Sequence, residues 1–285
     1  MVGEIIDGKA IAKGIRQELA GKVAAFKKKR GTVPALHVVI VGHDPASKLY
    51  VRLKQTGAEE VGIKSVKHEF DTITEKKLLE LIDKLNKDKA VHGILVQLPL
   101  PKDIDEKKVI MKISPEKDVD GFHVINMGKL FTGDENLLPC TPLGVIRMLE
   151  KEKVEIRGKD AVIVGRSNIV GKPLALMLLK RHATVTLCHT KTKDLASHTR
   201  RADLLIAAAW APKMIEAHMV KNGAVVIDIG ITDVNGKAVG DVDFKKVKER
   251  ASKITPVPGG VGPMTVAMVL SNTLEAAEKQ LGGYA

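Results

Sequence analysis

The 285-residue chain is 44% apolar and 28% charged, the make-up of a soluble globular protein long enough for two ordinary domains. No apolar run approaches the roughly 20 residues a membrane-spanning helix needs, and MVGEIIDGKA at the start lacks the basic opening and apolar core of a signal peptide, so a cytoplasmic protein without a membrane partner is expected. The formal net charge of +12 raises nucleic-acid binding as a rival function class, but the charge is spread along the chain, KKKR (27–30) is its only basic run, and aromatic residues for base stacking make up 3%; no nucleic-acid partner is expected, and the same field favours an anionic substrate or cofactor.

Helical periodicity runs from residue 8 to 29, and ALHVVIVG (35–42) is an apolar, β-branched run ending in Gly, the pattern of a buried strand. Asp44-Pro45 marks a helix start, with Asp as N-cap and Pro at the first helical position. That helix extends to about Val61. It carries Tyr50, the one tyrosine away from the C-terminal end (the other is Tyr284), and Lys54 four positions on, so the two share a face. IKSVKHEF (63–70) alternates as a half-exposed strand, 74–87 is helical, and VHGILVQLPLP (91–101) is a strand entering a proline-rich turn. This βαβαβ order belongs to a parallel sheet.

The stretch SPEKDVDGFHVINMGKL (114–130) reads as loop, and a helix follows PCTP (139–142) with Thr141 as cap and Pro142 in its first turn. Strand and helix patterns then alternate again: DAVIVG (160–165), a helix from Gly171 to Lys180, ATVTLC (183–188), a short helix to about Arg200, ADLLIAAA (202–209) and GAVVIDIG (223–230). The second set predicts a Rossmann-like domain. The last 20 or so residues, after PVPGGVGP, form one helix. Cys140 and Cys188 make no CxxC pair and read as buried free thiols; CHT (188–190) has no HxxxH or HExxH beside it, so no metal site is expected.

Four features carry chemistry. VIVGRSNIVGKP (162–173) is a strand, a Gly turn and a helix start, where helix amides favour a phosphate; its G-x-S-x-x-x-G spacing also fits an ordinary βα turn. Arg166 stands in that turn, and Thr190 and Lys191 occupy the region where NAD-selective sites keep an acid for the ribose hydroxyl, which argues for NADP. Lys54 reads equally as a site lysine or a solvated one, while Gln97 ends the third strand, where open α/β sheets place ligands. Asp118 and Asp120 in KDVDGF read first as turn chemistry, and PVPGGVGP (256–263) as either a linker or a wall that a substrate approaches closely.

Taken jointly and in order, VGHDPASKLYVRLK, GILVQLPLP, PEKDVDGFHVINMGKL, PCTPLG, VIVGRSNIVGKP, VTLCHTKT, VVIDIGI and PVPGGVGPMTVAM resemble the bifunctional methylenetetrahydrofolate dehydrogenase/methenyltetrahydrofolate cyclohydrolase (FolD) family over nearly the whole chain. The resemblance implies an α/β fold of two domains: a catalytic folate-binding domain over 1–140, completed by a C-terminal helix over 263–285, and a Rossmann-like NADP domain over 141–262. It implies Lys54 as the catalytic lysine, Tyr50 packed on the folate rings, Gln97 orienting Lys54, and Asp120 holding the pterin's amide and amino edge. Val96, Leu98, Pro258, Gly259 and Gly260 would line the folate pocket, and Gly165, Arg166, Ser167, Thr190 and Ile231 would contact NADP.

The implied chemistry is a hydride transfer from 5,10-methylenetetrahydrofolate to NADP⁺, then hydrolysis of the methenyl product to 10-formyltetrahydrofolate. The first step needs mainly positioning. The second needs protons moved, which a lysine does where its surroundings disfavour the ammonium form. A dehydrogenase with weak cyclohydrolase activity, or the reverse, is the alternative within the family. A homodimer acting on a folate substrate, polyglutamylated or not, is expected. Two positions depart from the family pattern: Thr190 replaces a frequent serine, and Trp210 in AAAWAP replaces a usual glycine, where it either covers the cofactor or obstructs its path.

Overall fold

The computed structural model describes residues 2–282, so Tyr284 and the last three positions of the expected C-terminal helix lie outside the described residues. The chain opens with β1 (Glu4–Ile5) and α1 (Gly8–Arg30), whose last turn carries Lys27, Lys28, Lys29 and Arg30 where cations complement the helix dipole. There follow β2 (Ala35–Val41), α2 (Pro45–Val61), β3 (Lys64–Phe70), α3 (Glu75–Lys87), β4 (Gly93–Val96), α4 (Glu106–Lys112), α5 (Val124–Thr132) and α6 (Cys140–Lys151). The remaining elements are β5 (Asp160–Val164), α7 (Gly171–Lys180), β6 (Thr184–Cys188), α8 (Leu195–Thr199), β7 (Leu204–Ala207), β8 (Val225–Asp228), β9 (Thr232–Val234), β10 (Lys237–Val239), α9 (Phe244–Lys248), β11 (Lys253–Ile254) and α10 (Val261–Gly282).

These elements form two units. The first comprises residues 13–140 and 266 onward. Its sheet is parallel in the order β3-β2-β4, with Val38 opposite Lys67 on one side and Leu95 on the other. Val39, Val41, Ile94 and Val96 from the sheet pack with Leu78, Ile82 and Leu85 of α3 and Val109 of α4. The C-terminal helix joins this unit from Val266 on: Asn272, buried, donates to the carbonyls of Val119 and Leu138, each at 2.9 Å. Gly57 faces Leu270 and Val266 so closely that a Cβ would lie 3.1 Å from Leu270.

The second unit comprises residues 2–12 and 141–265, with a six-stranded parallel sheet in the order β1-β11-β8-β7-β5-β6 and the separate antiparallel pair β9-β10. Its core sets Val162, Val164, Leu205, Ala207 and Val226 of the sheet against Ile215, Val242 and Val247. The structure differs here from a first domain that starts at residue 1. Residues up to Ala12 belong to the second unit because β1 pairs in parallel with β11, Glu4 opposite Lys253 and Ile5 opposite Ile254.

Other differences are local. The stretch read as loop contains α5, and α4 precedes it. Each has a side-chain cap, Asp105 accepting from the amides of Lys107 and Lys108, and His123 Nδ1 accepting from that of Ile125. Helix α6 begins at Cys140, so Thr141 and Pro142 lie inside its first turn, and the Thr141 hydroxyl instead pairs with that of Thr265 at 3.0 Å. The Asp44 cap stands as read: its carboxylate accepts from the Ser47 amide at 2.7 Å, Pro45 follows, and Gly62 ends α2 in the left-handed conformation. Both cysteines are buried free thiols.

The C-terminal end of α3 rests on one side chain. Buried Lys117 donates to the carbonyls of Leu85 (3.1 Å), Asn86 (2.8 Å) and Asp88 (2.7 Å), acceptors that the helix itself cannot satisfy. Burial pushes this ammonium below the usual lysine range. Lys117→Met keeps the apolar stem and strips all three bonds, so a loss of about 2 kcal/mol is expected; urea unfolding followed by circular dichroism measures it, and unchanged stability would show the cap to be idle.

Candidate active site

In the first unit, β3 and β4 flank β2, so the chain leaves β2 to one side and returns on the other. The C-terminal ends of β2 and β4 therefore form a topological switch point, where open α/β sheets leave a crevice. The helix after β2 delivers Lys54, and the residue after β4 is Gln97, whose amide is fixed to the Val39 carbonyl at 2.8 Å. Lys54 is only 5% exposed, and its Nζ donates to Gln97 Oε1 at 2.9 Å. The other end of the Gln97 amide is also fixed, Nε2 donating to the Leu98 carbonyl at 2.8 Å, so its oxygen is turned to the lysine. The solvated reading of Lys54 does not hold. Tyr50 lies one turn earlier on α2, half-buried, and burial raises its phenol above the usual range, which keeps it neutral.

The two acids of KDVDGF divide their roles. Asp118 is buried and accepts from the amides of Gly121 (3.2 Å) and His123 (2.8 Å) and from the Asn126 side chain (2.9 Å), which is the turn chemistry its sequence suggests. No hydrogen bond among the described residues reaches the Asp120 carboxylate. Dense surroundings raise it to about 6, against the pull of the nearby Lys54 ammonium and with the push of Asp118, although the residue keeps some accessible surface. Gly121 sits at φ +77°, and a Cβ there would lie 2.4 Å from the Leu138 carbonyl carbon, so this tight crossing needs glycine. Asp120 shares a small apolar pocket with Val96, Leu98, Ile110 and Phe122.

The structure thus gathers Lys54, Gln97, Val96, Leu98 and Asp120 in one unit, with Tyr50 one turn from the lysine. The other expected residues belong to the second unit. Pro258, Gly259 and Gly260 stand in the loop between β11 and α10. Gly259 accepts from the Lys9 amide at 3.1 Å, and Gly8 approaches Gly260 so closely that a Cβ would fall 1.9 Å from its carbonyl oxygen.

The second unit has its own switch point, between β5 and β7. Gly165, at φ +136°, leaves β5 so close to the chain after β7 that a Cβ would meet the Ala208 oxygen at 2.1 Å. Gly171 is equally tight against the Gly165 oxygen. Ser167 Oγ accepts from the amides of Val170 and Gly171, so it braces the turn itself. No hydrogen bond among the described residues reaches the amides of Arg166, Ser167, Asn168 or Ile169. A glycine cradle with four free donors and the exposed Arg166 guanidinium fits a phosphate-bearing dinucleotide. The Gly165 amide bonds the Cys188 carbonyl at the end of β6, which sets exposed Thr190 on the adjacent loop; Ile231, after β8, is exposed too.

Comparison with known proteins shows the family. The catalytic-domain model of the tetrahydrofolate dehydrogenase/cyclohydrolase family matches residues 6–120, and the NAD(P)-binding-domain model matches 139–281. The chain belongs to the tetrahydrofolate dehydrogenase/cyclohydrolase family. It is 57% identical over 278 residues to the bifunctional protein FolD of Halothermothrix orenii, covering 96% of this chain and 98% of that protein. Among solved structures, the bifunctional enzyme FolD of Campylobacter jejuni aligns at 51% identity with a TM-score of 0.94, covering 96% and 98% of the two chains. The Trypanosoma brucei methylenetetrahydrofolate dehydrogenase-cyclohydrolase, solved with NADP cofactor and an inhibitor, aligns at 39% identity with a TM-score of 0.94 over 99% of each chain.

Sequence reasoning missed two acids in this family member's second unit. Asp228, at the end of β8, accepts from the amides of Gly230, Asp241 and Val242, and burial lifts it to about 7. Asp241, fully buried, accepts from those of Ala209, Trp210 and Ala211. The signal was an acid closing an apolar strand in VVIDIG and another in the short GDVD segment.

Proposed function

We propose that the chain oxidises 5,10-methylenetetrahydrofolate to 5,10-methenyltetrahydrofolate with NADP⁺ and hydrolyses the product to 10-formyltetrahydrofolate, as an oxidoreductase and a hydrolase of one-carbon metabolism. The observation that carries the reading is the buried Lys54 Nζ held at 2.9 Å by an oriented Gln97 at a sheet switch point, in a chain that matches bifunctional relatives over nearly its full length. The first unit is the folate-binding domain and the second the NADP domain. A cytoplasmic homodimer completes the proposal, supported by the family resemblance and by β3, which has a neighbour on one side only.

Bound NADP⁺ supplies the hydride acceptor. Its phosphates suit the free amides of the turn after Gly165, with Arg166 and Thr190 toward the ribose 2′-phosphate. The protein's share of the oxidation is positioning. The neutral Tyr50 ring offers the pterin a stacking face, and Asp120 accepts from the pterin's amide and amino groups, with Val96, Leu98, Pro258, Gly259 and Gly260 as further contacts. Hydrolysis needs more. Water adds to the methenyl carbon, one carbon–nitrogen bond opens, and the water oxygen becomes the formyl carbonyl by losing both its protons, one reaching the released nitrogen and the other going to solvent. Lys54 is the group assigned to that transfer, and Gln97 holds its Nζ in place.

Lys54→Met is expected to lose nearly all methenyl hydrolysis while retaining the fold and NADP⁺ binding. Decay of methenyl absorbance and calorimetric titration measure the two, and hydrolysis within a few-fold of wild type would remove Lys54 from the mechanism.

Asp120 generates a pH dependence. Below about 6 its carboxyl is protonated, one acceptor and the charge are lost, and folate binding weakens. kcat/KM for the folate should therefore fall as pH drops through about 6, and Asp120→Ala should raise the folate KM at pH 7.5 and abolish this inflection. A profile that is the same in both proteins would exclude Asp120 as the pterin acceptor.

NADP⁺ should be preferred over NAD⁺ mainly through Arg166, since a guanidinium meets a phosphate with paired charged hydrogen bonds and no acid follows β6 to reward a free hydroxyl. One such bond contributes roughly 1.5–3 kcal/mol, or about 10- to 150-fold. Measured as kcat/KM for both cofactors, Arg166→Ala should lose that factor for NADP⁺ and little for NAD⁺; equal losses would assign Arg166 to the shared pyrophosphate.

A further inference from the structure

The loop after β7 carries the chain's only tryptophan in an unusual state. Trp210 is 45% exposed although its backbone is fixed, and it holds φ +54°, in the left-handed region that a bulky side chain rarely occupies. Lys213, three residues on, is left-handed as well at φ +56°. Asp241 holds the loop. Its Oδ2 accepts from the amides of Ala209 (2.6 Å) and Trp210 (3.0 Å) and its Oδ1 from that of Ala211 (2.7 Å). This carboxylate is fully buried, its own amide donates to Asp228 at 3.0 Å, and Gly230 makes room for it, since a Cβ there would lie 2.1 Å from the Asp241 carboxyl carbon.

Three successive amides around one anion form a nest, the geometry in which a loop binds phosphate. Here the protein's own carboxylate fills it, so residues 209–211 have no backbone donors left for a ligand. What the loop presents is the indole. Its place is informative: β7 neighbours β5, and the Ala208 oxygen lies against Gly165, so Trp210 stands two residues from the contact that forms the dinucleotide turn. Backbone strain of this kind persists where the surroundings over-determine it, and it concentrates at ligand sites.

We infer that Trp210 is a ring-stacking surface for the dinucleotide, clamped in its left-handed position by Asp241. The inference rests on the NADP reading above. The ligand chemistry is a flat aromatic ring, adenine or nicotinamide, and a nearby indole face binds either by the stacking that proteins use for nucleobases. The clamp fixes the backbone from which the indole projects, so the cost of ordering the loop is met on folding and not on binding.

Because Trp210 is the sole tryptophan, its emission reports the site directly. Titration of the wild type with NADP⁺ should quench that emission, with a midpoint equal to the calorimetric Kd. Separate titrations with 2′-phosphoadenosine 5′-phosphate and with nicotinamide mononucleotide assign the ring, since the half that stacks reproduces the quench. Trp210→Gly removes the ring and suits a left-handed backbone, so the fold is retained while NADP⁺ affinity drops about tenfold; Trp210→Phe recovers most of it. Calorimetric binding of NADP⁺ with unchanged emission, or equal or tighter binding by Trp210→Gly, overturns the stacking role and leaves the NADP reading intact. Absence of calorimetric NADP⁺ binding to the wild type overturns the NADP reading itself.

Discussion

The hydrogen bond from Lys54 to Gln97 joins residues 43 positions apart, and it exists because β4 lies beside β2 and not beside β3. A parallel sheet wound in the order 3-2-4 sends the chain away from the central strand in both directions, so the ends of its two neighbouring strands open a gap that no direct connection fills. The helix after β2 begins in that gap, and its N-cap at Asp44 sets where each later residue points. Tyr50 and Lys54 follow as a consequence of helical period. The lysine could not remain buried without an acceptor, and Gln97 is the first residue beyond β4 able to supply one. Moving that acceptor by one residue would turn it to the other face of the strand.

The second unit repeats the winding with β6-β5-β7, and here the constraint falls on backbone instead of side chains. Loops at a switch point cross closely, and close crossing consumes Cβ atoms and leaves amides without partners. Gly165 and Gly171 answer the first problem. Asp228 and Asp241 answer much of the second, each taking three amides from the segments after β7, β8 and β10. A carboxylate suits this because it accepts several bonds at once. The cost is desolvation of two neighbouring acids, visible in the lift of Asp228 to about 7. Asp118 does the same in the first unit, whereas Asp120 holds no amide among the described residues.

How much of this was legible depends on how much local pattern each feature leaves. Strands β2, β4, β5, β7 and β8 are short apolar runs buried on both faces, and α1, α2, α3, α7 and α10 are long enough to show a period or a cap. Helices α4 and α5 are not: α4 buries only Val109, and α5 only Asn126 and Leu130, too few to establish a repeat, and α5 is capped by a histidine. Strands β1 and β11 have two residues each and exist only through their partners. In the site, the shared face of Tyr50 and Lys54 and the strand-end position of Gln97 were readable, but the burial of Lys54 was not, because it depends on a strand forty residues away. Asp118 and Asp120 look alike in KDVDGF. Only the folded loop, with its amides aimed at the first of them, tells the two apart.

The two units handle buried polarity in opposite ways, and this bears on how one chain supports two chemical steps. Hydride transfer asks for geometry, and the unit assigned to the dinucleotide commits its buried acids to fixing loops, so that Arg166, Thr190 and Trp210 project from a rigid frame. Proton transfer asks for a group that remains available. The unit assigned to the folate accordingly leaves Lys54 with a single neutral partner and Asp120 with none among the described residues. A carboxylate at position 97 would instead have formed a buried ion pair, whose desolvation is costly. A glutamine carbonyl orients the nitrogen at a smaller electrostatic price, and the positive balance of the whole chain, +12, favours the anionic ligands that both steps require.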